Sequence, residues 1–476
     1  MKSSFFSSKK IPVVILGFLV LVFSFGCQKD IIETENALDP VSDEVTLKGA
    51  KIVDLMVITT AETLPAGFEK QLSSYGQVIN SIPEIGVVVI KPADSNSAGK
   101  IARLRGVLAV VPDLKVRWIE PSEFVTEADP LSIGNNERFF GYQWGMFAIK
   151  APNAWDAGFT GQGAKVFILD SGIDADNPDL APNLNTGLSK SFVPGEEYFV
   201  GDSSFFSHGT HVAGIIAAAD NSWGVIGVAP YAEIVAVKVI SEKTGSGAFS
   251  WINAGIVYAA NSGADVINMS LGATFARNGF YLDEDGVLQK EPAVYLQNLI
   301  LAQQRAVNYA FKKGVTIVVS AGNGGSNFDG NAFIFKLPAE LQNVIAVSAT
   351  APDCWVSQSV PLFDIPASYT DYGRSLVAIA APGGDYDCEA GYPFDMILSS
   401  GAGGPASYYF YFAAGTSMAS PHVAGVAALI IGKNGGAMDP HEVTKQLFKT
   451  ADKIDGNGTS LFYGKGRVNA YRAVTE

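Results

Sequence analysis

From about residue 139 onward, apolar residues come in short unbroken runs. Val166-Phe167-Ile168-Leu169 stops at Asp170; residues 234–239, 265–269, 315–319 and 344–347 form four more such runs. Runs without polar alternation fit strands buried on both faces. Stretches with helical character lie between several of them, at residues 210–218, 251–261 and 294–313. This succession predicts an α/β fold with a doubly wound, mainly parallel sheet. In such sheets the site forms at the carboxyl ends of the strands. Asp170 stands at one of those ends, and the loop Ala321-Gly322-Asn323 at another.

The leading part reads differently. Residues 52–58, 86–90 and 107–111 are strand-like, residues 68–75 and 97–104 helical, and residues 116–119 a last strand. The order strand, helix, strand, helix, strand predicts a small α+β unit of ferredoxin-like type over residues 50–120. Residues 121–138 are polar and acidic, a linker exposed enough to be cut, and the main domain runs over residues 139–476.

Lys2, Lys9 and Lys10 precede an apolar run at residues 11–26, and Cys27 follows directly. The run is shorter than the ~20 residues of a spanning helix. It reads as a signal peptide over residues 1–26, which implies export. The stretch Ser24-Phe25-Gly26-Cys27 resembles a bacterial lipobox, which would make Cys27 the lipidated N-terminus of a membrane-anchored, surface or outer-membrane protein. Ordinary cleavage near Gly26, giving a periplasmic or secreted protein, is the alternative. With only 3 cysteines in the chain, one at this place favours lipidation. Residues 27–49 then form a polar tether.

Composition narrows the classes. The 476 residues are 48% hydrophobic and 17% charged, enough for a large core and unlike a disordered chain. The net charge is -14 and no basic stripe stands out, which argues against a nucleic-acid partner.

Three segments carry chemistry: Leu169-Asp170-Ser171-Gly172, His208-Gly209-Thr210-His211 and Gly415-Thr416-Ser417-Met418-Ala419-Ser420-Pro421. A serine hydroxyl attacks an amide only when a histidine takes its proton, and that histidine needs a carboxylate to fix its tautomer. Ser417 opens a helical stretch, whose free N–H groups suit a developing oxyanion. Any one of these segments alone would read as a turn or a helix cap. His211 and His422 read as packed core residues, and His441 as a surface residue.

Together, and in the order Asp, His, Ser, these segments resemble the subtilisin (subtilase) family of serine proteases. The resemblance covers roughly residues 139–475. It implies that Asp170, His208 and Ser417 are the catalytic triad, with Asn323 as oxyanion donor. It also implies that Ser270, Leu271, Gly272, Ala321 and Gly322 line the substrate cleft. Residues 50–120 would be an inhibitory propeptide, removed by self-processing, and polypeptides the substrates. No organic cofactor is implied.

The segment Ala219-Asp220-Asn221-Ser222-Trp223-Gly224-Val225 resembles the family's calcium loop. The ligands implied are the side chains of Asp179, Asn221 and Gln143 and the carbonyls of Ala219, Trp223 and Val225; a calcium-free turn is the alternative. Export permits a disulfide between Cys354 and Cys388, and two free thiols remain the other reading. Residues 273–298 look inserted beside the cleft, and aromatic residues 408–412 read as a buried strand. Two other functions stand beside a general endopeptidase: a processing protease of narrow specificity, and a non-catalytic surface binder on the same fold.

Overall fold

The apolar runs of the main domain become the spine of one sheet. The computed structural model describes residues 53–119, 124–126, 137–200, 207–358, 361–386, 393–403, 410–456 and 458–476. The sheet runs, in order, Ile365–Pro366, Ile345–Ala351, Thr316–Ser320, Val266–Met269, Lys165–Asp170, Glu233–Lys238 and Lys190–Ser191, with Ile379–Pro382 added on Ile345–Ala351. All pairings are parallel except that of Ile365–Pro366.

The burial of alternate residues explains the unbroken apolar runs. Val166 and Ile168 pack into one cluster with the helices His208–Ala217 and Thr416–Lys433. Phe167 and Leu169 pack into the opposite cluster with Phe249–Asn261 and Ala293–Lys312. Both faces of the strand are therefore apolar, as a doubly wound sheet requires.

The leading unit is a four-stranded antiparallel sheet in the order Gly76–Ile82, Val87–Pro92, Leu55–Thr59, Val107–Pro112. Leu55, Val57, Val88 and Ile90 face the two short helices Phe68–Leu72 and Ser97–Ile101. Met56, Ile58 and Val87 join the same cluster as the helices Phe249–Asn261 and Ala293–Lys312. The two sheets thus belong to one structural unit, residues 52–476.

Two expectations are corrected. Lys115–Arg117 does not complete the small sheet; it pairs antiparallel with Ser246–Ala248 of the main domain. Phe124–Thr126, inside the expected linker, is a strand paired with Phe410–Ala413. The aromatic stretch that precedes Ser417 is in its described part a buried strand, as expected: Tyr411 and Phe412 are buried, and Phe410–Ala413 also pairs with Ile397–Ser400. Among the described residues no helix is long and apolar enough to cross a membrane. The signal peptide, the tether and Cys27 lie outside the described residues.

Candidate active site

Asp170 is the last residue of its strand, and both of its oxygens meet His208 Nδ1, at 2.8 and 2.9 Å. The backbone N–H of Ser171 also donates to Asp170 Oδ1, at 2.7 Å, which fixes the carboxylate rotamer. With its Nδ1 proton held by the carboxylate, the neutral imidazole carries its lone pair on Nε2. His208 opens its helix, and Gly209 lets that helix close on the strand. A Cβ at Gly209 would lie 2.2 Å from Gly172 O and 3.1 Å from Asp170 Oδ1.

Ser417 lies in the first turn of Thr416–Lys433, where backbone N–H groups have no intrahelical acceptor. Pro421, four residues on, has no N–H to give to the Ser417 carbonyl. The hydroxyl of Ser270 takes that place, donating to Ser417 O at 2.8 Å. In return the Ser417 hydroxyl donates to Ser270 O at 3.3 Å. Pro421 thus costs the helix no satisfied carbonyl and ties the helix start to the Ser270–Gly272 segment.

Asn323 is oriented by Thr416. Its Oδ1 accepts from Thr416 N at 2.9 Å and from Thr416 Oγ1 at 2.7 Å. Two donors on the oxygen fix which way the amide faces, and leave Nδ2 to donate elsewhere. The same Thr416 Oγ1 accepts from Gly322 N at 3.0 Å, so one threonine holds both loop residues. Gly322 has φ +115, and a Cβ there would meet Asp371 Oδ2 and Lys336 Cε, each at 2.3 Å. Ala321, Leu271 and Ser270 are buried beside it.

The expected cleft holds part of the chain itself. Beyond its pairing with Ser246–Ala248, the leading segment accepts a bond from Gly272 N to Trp118 O at 2.8 Å. Trp118 and Ile119 N–H groups reach Gly245 O at 3.3 and 3.4 Å. The Trp118 ring packs edge-on against Phe249 at 5.1 Å and donates its Nε1 proton to Gly247 O at 2.8 Å. On the other edge, Val116 bridges to Asp283 of the inserted hairpin.

His211 and His422 are core residues, as expected. His211 Nε2 meets Ile397 O at 3.2 Å and Tyr411 O at 3.1 Å, and burial pushes its pKa down to about 3. His422 Nδ1 meets Met418 O at 2.8 Å, and burial lowers its pKa to about 4.

A model of the Subtilase family matches residues 161–466. The chain belongs to the subtilase family. It is 37% identical to thermitase of Thermoactinomyces vulgaris over 71% of this chain and 98% of that protein. It is 37% identical to subtilisin E of Bacillus subtilis strain 168, over 81% and 85% of the two. Among solved structures it resembles the epidermin leader peptide processing serine protease of Staphylococcus aureus, with a TM-score of 0.69 and 25% identity. That match covers 89% of this chain and 98% of that one. The protein is therefore a subtilisin-like serine protease.

The loop expected to hold calcium in this subtilase is built differently from expectation at two side-chain ligands, Gln143 and Asn221. Gln143 is a two-point clamp on Ile226, donating to its carbonyl at 2.8 Å and accepting from its N–H at 3.0 Å. The carboxylate that reaches the loop is Glu137, which accepts from Ser222 N at 3.3 Å and hydrogen-bonds with Asp220. No sequence pattern singled it out, because a lone Glu at the edge of an acidic linker looks solvated. Asp179 accepts from Val225 N at 2.9 Å and from Asn221 Nδ2 at 3.3 Å. Burial first, and also the charge of Glu137, push the Asp179 pKa up to about 7. As arranged, Asn221 offers Asp179 its N–H and gives its oxygen to Trp223 N. Among the described residues no three acidic, histidine or cysteine side chains converge into a metal cage. The donor set that fits a hard cation is the carboxylates of Asp179 and Glu137 with backbone carbonyls, a low-charge oxygen set of the kind calcium accepts.

Cys354 is disulfide-bonded. Its expected partner, Cys388, lies outside the described residues.

Proposed function

We propose that this subtilase is an exported endopeptidase, made as a self-processed precursor, with Asp170, His208 and Ser417 as its triad. The observation that carries the reading is the contact of His208 Nδ1 with both oxygens of Asp170. It orients the ring and stabilises the imidazolium that catalysis requires. His208 Nε2 takes the Ser417 proton as Oγ bonds to the substrate carbonyl carbon. The same proton passes to the leaving amine nitrogen as the C–N bond breaks. Water then hydrolyses the acyl-enzyme by the reverse roles. Asn323 Nδ2 and the Ser417 N–H donate to the oxyanion, and the Thr416 bonds to Asn323 support that orientation. Ser270, Leu271, Gly272, Ala321 and Gly322 line the cleft, where substrate adds as a strand.

Residues 50–120 act as the inhibitory propeptide. The pairing of Lys115–Arg117 with Ser246–Ala248, and Trp118 on Gly272, support this, because they occupy the cleft a substrate strand would need. Calcium, held by Asp179 and Glu137 with the carbonyls of Ala219, Trp223 and Val225, would neutralise that carboxylate pair and brace the loop. Cys27 carries the lipid anchor, and Cys354 pairs with Cys388.

The test is to express residues 28–476 with Ser417 and with Ser417→Ala and to follow intact mass. Loss of about the first 90 to 115 residues in the wild type alone is expected for self-processing. If both chains stay intact and the wild type ignores a fluorophosphonate probe, the reading fails.

A second reading, a processing protease of narrow specificity, is favoured by one observation. The inserted hairpin bridges to Val116 through Asp283, which supports a role for it at the edge of the cleft. The similar Staphylococcus aureus structure is likewise of a leader peptide processing protease. Casein left intact by an enzyme that still reacts with the probe would select this reading.

A further inference from the structure

The two segments beside Ser417 share a charged neighbour. Ser270 is bonded to Ser417, Asn323 to Thr416, and each lies one or two residues from a glycine, Gly272 and Gly322. The end of one side chain approaches both glycines. A Cβ at Gly272 would lie 3.4 Å from Lys336 Cε, and a Cβ at Gly322 would lie 2.3 Å from Cε and 2.6 Å from Nζ. Lys336 comes from the strand Ile334–Leu337, which pairs with Ala273–Ala276. The Lys336 side chain thus lies against both glycines, next to the serine, and ends in an ammonium group.

That ammonium is almost enclosed. Its Nζ lies 3.4 Å from Asp371 Oδ2, and the two side chains are 8% and 1% exposed. It also donates to Thr274 Oγ1 at 3.1 Å. Asp371 is held in turn, since its Oδ1 accepts from Gly324 N at 3.1 Å and Ser326 N at 2.9 Å. An ammonium has three N–H donors. One is used in the bond to Thr274, and Asp371 faces the ammonium as an ion pair, so donor capacity is left for an oxygen that approaches from the cleft. Asp371 spreads its charge over two peptide N–H groups as well as over Lys336, so the ammonium is not fully cancelled at the cleft.

Resting on the protease reading, we propose that Lys336 sets the specificity of this subtilase for an acidic residue on the acyl side of the scissile bond. Under that reading, the side chain of the residue whose carbonyl meets Ser417 enters the cleft between the Gly272 and Gly322 segments, where Lys336 lies. A glutamate carboxylate reaching Lys336 forms a charge-assisted hydrogen bond in a water-poor site. A glutamine makes the same bond without the charge. A lysine or arginine brings a second cation against the first, and a phenylalanine must displace or bury the ammonium without a partner.

The experiment uses the self-processed full chain, with active sites counted by fluorophosphonate labelling. Four internally quenched peptides differ only at the acyl-side residue: Glu, Gln, Phe or Lys. The expected order of kcat/KM is Glu, then Gln, with Phe and Lys at least tenfold below Glu. In Lys336→Met the Glu advantage over Phe collapses to less than about twofold, while Lys336→Arg retains it. Because Lys336→Met leaves Asp371 without its cation, Lys336→Met/Asp371→Asn is run beside it and is expected to show the same collapse. A wild-type enzyme that labels with the probe but prefers Phe or Lys overturns the proposal. So does a Glu preference that survives both methionine variants. An enzyme that neither labels nor cleaves any peptide overturns the protease reading, and the specificity proposal with it.

Discussion

Asn323 faces one way because Thr416 gives its oxygen two donors, and this makes the residue a preset donor. Removing it should act on the transition state and hardly on substrate binding. Asn323→Ala is expected to lower kcat about 10²–10³-fold with little change in KM. Steady-state kinetics with one peptide decides it: a rise in KM at constant kcat would mean that Asn323 only binds substrate. Asp113 makes a different kind of test at the same scale. It accepts from Ser250 N at 3.1 Å and Ser250 Oγ at 2.5 Å, capping the helix Phe249–Asn261 from the leading unit. Burial pushes its pKa up to about 6, against the lowering by the Ser250 bonds. Its folded pKa lies above the ordinary carboxylate value of ~3.9, so its stabilising contribution is complete below about pH 4 and lost as pH rises through 6. The full effect is about 3 kcal/mol, from roughly 1.4 kcal/mol per unit. In the unprocessed Ser417→Ala chain, stability should therefore fall between pH 4 and pH 7 more steeply with Asp113 than with Asp113→Asn. Parallel melting profiles of the two chains across that window would refute this.

At the scale of elements, the hold of the leading segment on the Ser246–Ala248 strand rests on a short strand and one large ring. Trp118 is buried, packed on Phe249, and bonded through both its ring and its carbonyl to the main domain. Truncating a buried tryptophan typically costs about 3–5 kcal/mol. Trp118→Ala should then loosen the segment's hold and shorten the lag before activity appears in the precursor, measured by peptide hydrolysis after refolding. An unchanged lag would put the hold elsewhere. The strand that does this was legible as a strand but not as to its partner. Residues 116–119 show the right side chains, yet nothing local says that Ser246–Ala248 will pair with Lys115–Arg117 instead of the small sheet. Register across such a distance is a tertiary choice. Gly76–Ile82 was missed for another reason: it is a half-exposed edge strand whose pattern carries Gln77, Asn80 and Ser81, so no apolar run marks it. The central strands were readable because both of their faces are buried. The segments of the proposed triad were readable because Asp170 ends such a strand, while His208 and Ser417 stand in the first turns of buried helices. Glu137 was not, since only the folded loop brings it to Ser222.

Over the whole molecule, the loop expected to hold calcium joins parts that are far apart in sequence. Glu137 stands where the main domain begins, Asp179 follows the Asp170 strand, and residues 219–225 follow the His208 helix. Asp179 and Glu137 both have raised pKa values: burial comes first for each, and the charge of Glu137 adds to it for Asp179, as the bond and charge of Asp220 do for Glu137. A divalent cation would reverse that penalty, and anything that binds the folded state alone stabilises it by mass action. At calcium a hundredfold above its dissociation constant the gain is about 2.7 kcal/mol, which for a unit as long as residues 52–476 corresponds to roughly 3 °C in Tm. The unprocessed Ser417→Ala chain excludes autolysis from the comparison. Its Tm should rise by that amount when calcium replaces EDTA, and magnesium should do less because it needs a tighter octahedral shell. Asp179→Asn and Glu137→Gln should each remove most of the rise, whereas Gln143→Ala should keep it while lowering Tm in both buffers, since Gln143 clamps Ile226 instead of meeting the ion. A rise lost with Gln143→Ala and kept with Glu137→Gln would return the ligand role to the position that the sequence alone suggests. No rise in any chain would leave the loop a calcium-free turn, stabilised by its own hydrogen bonds.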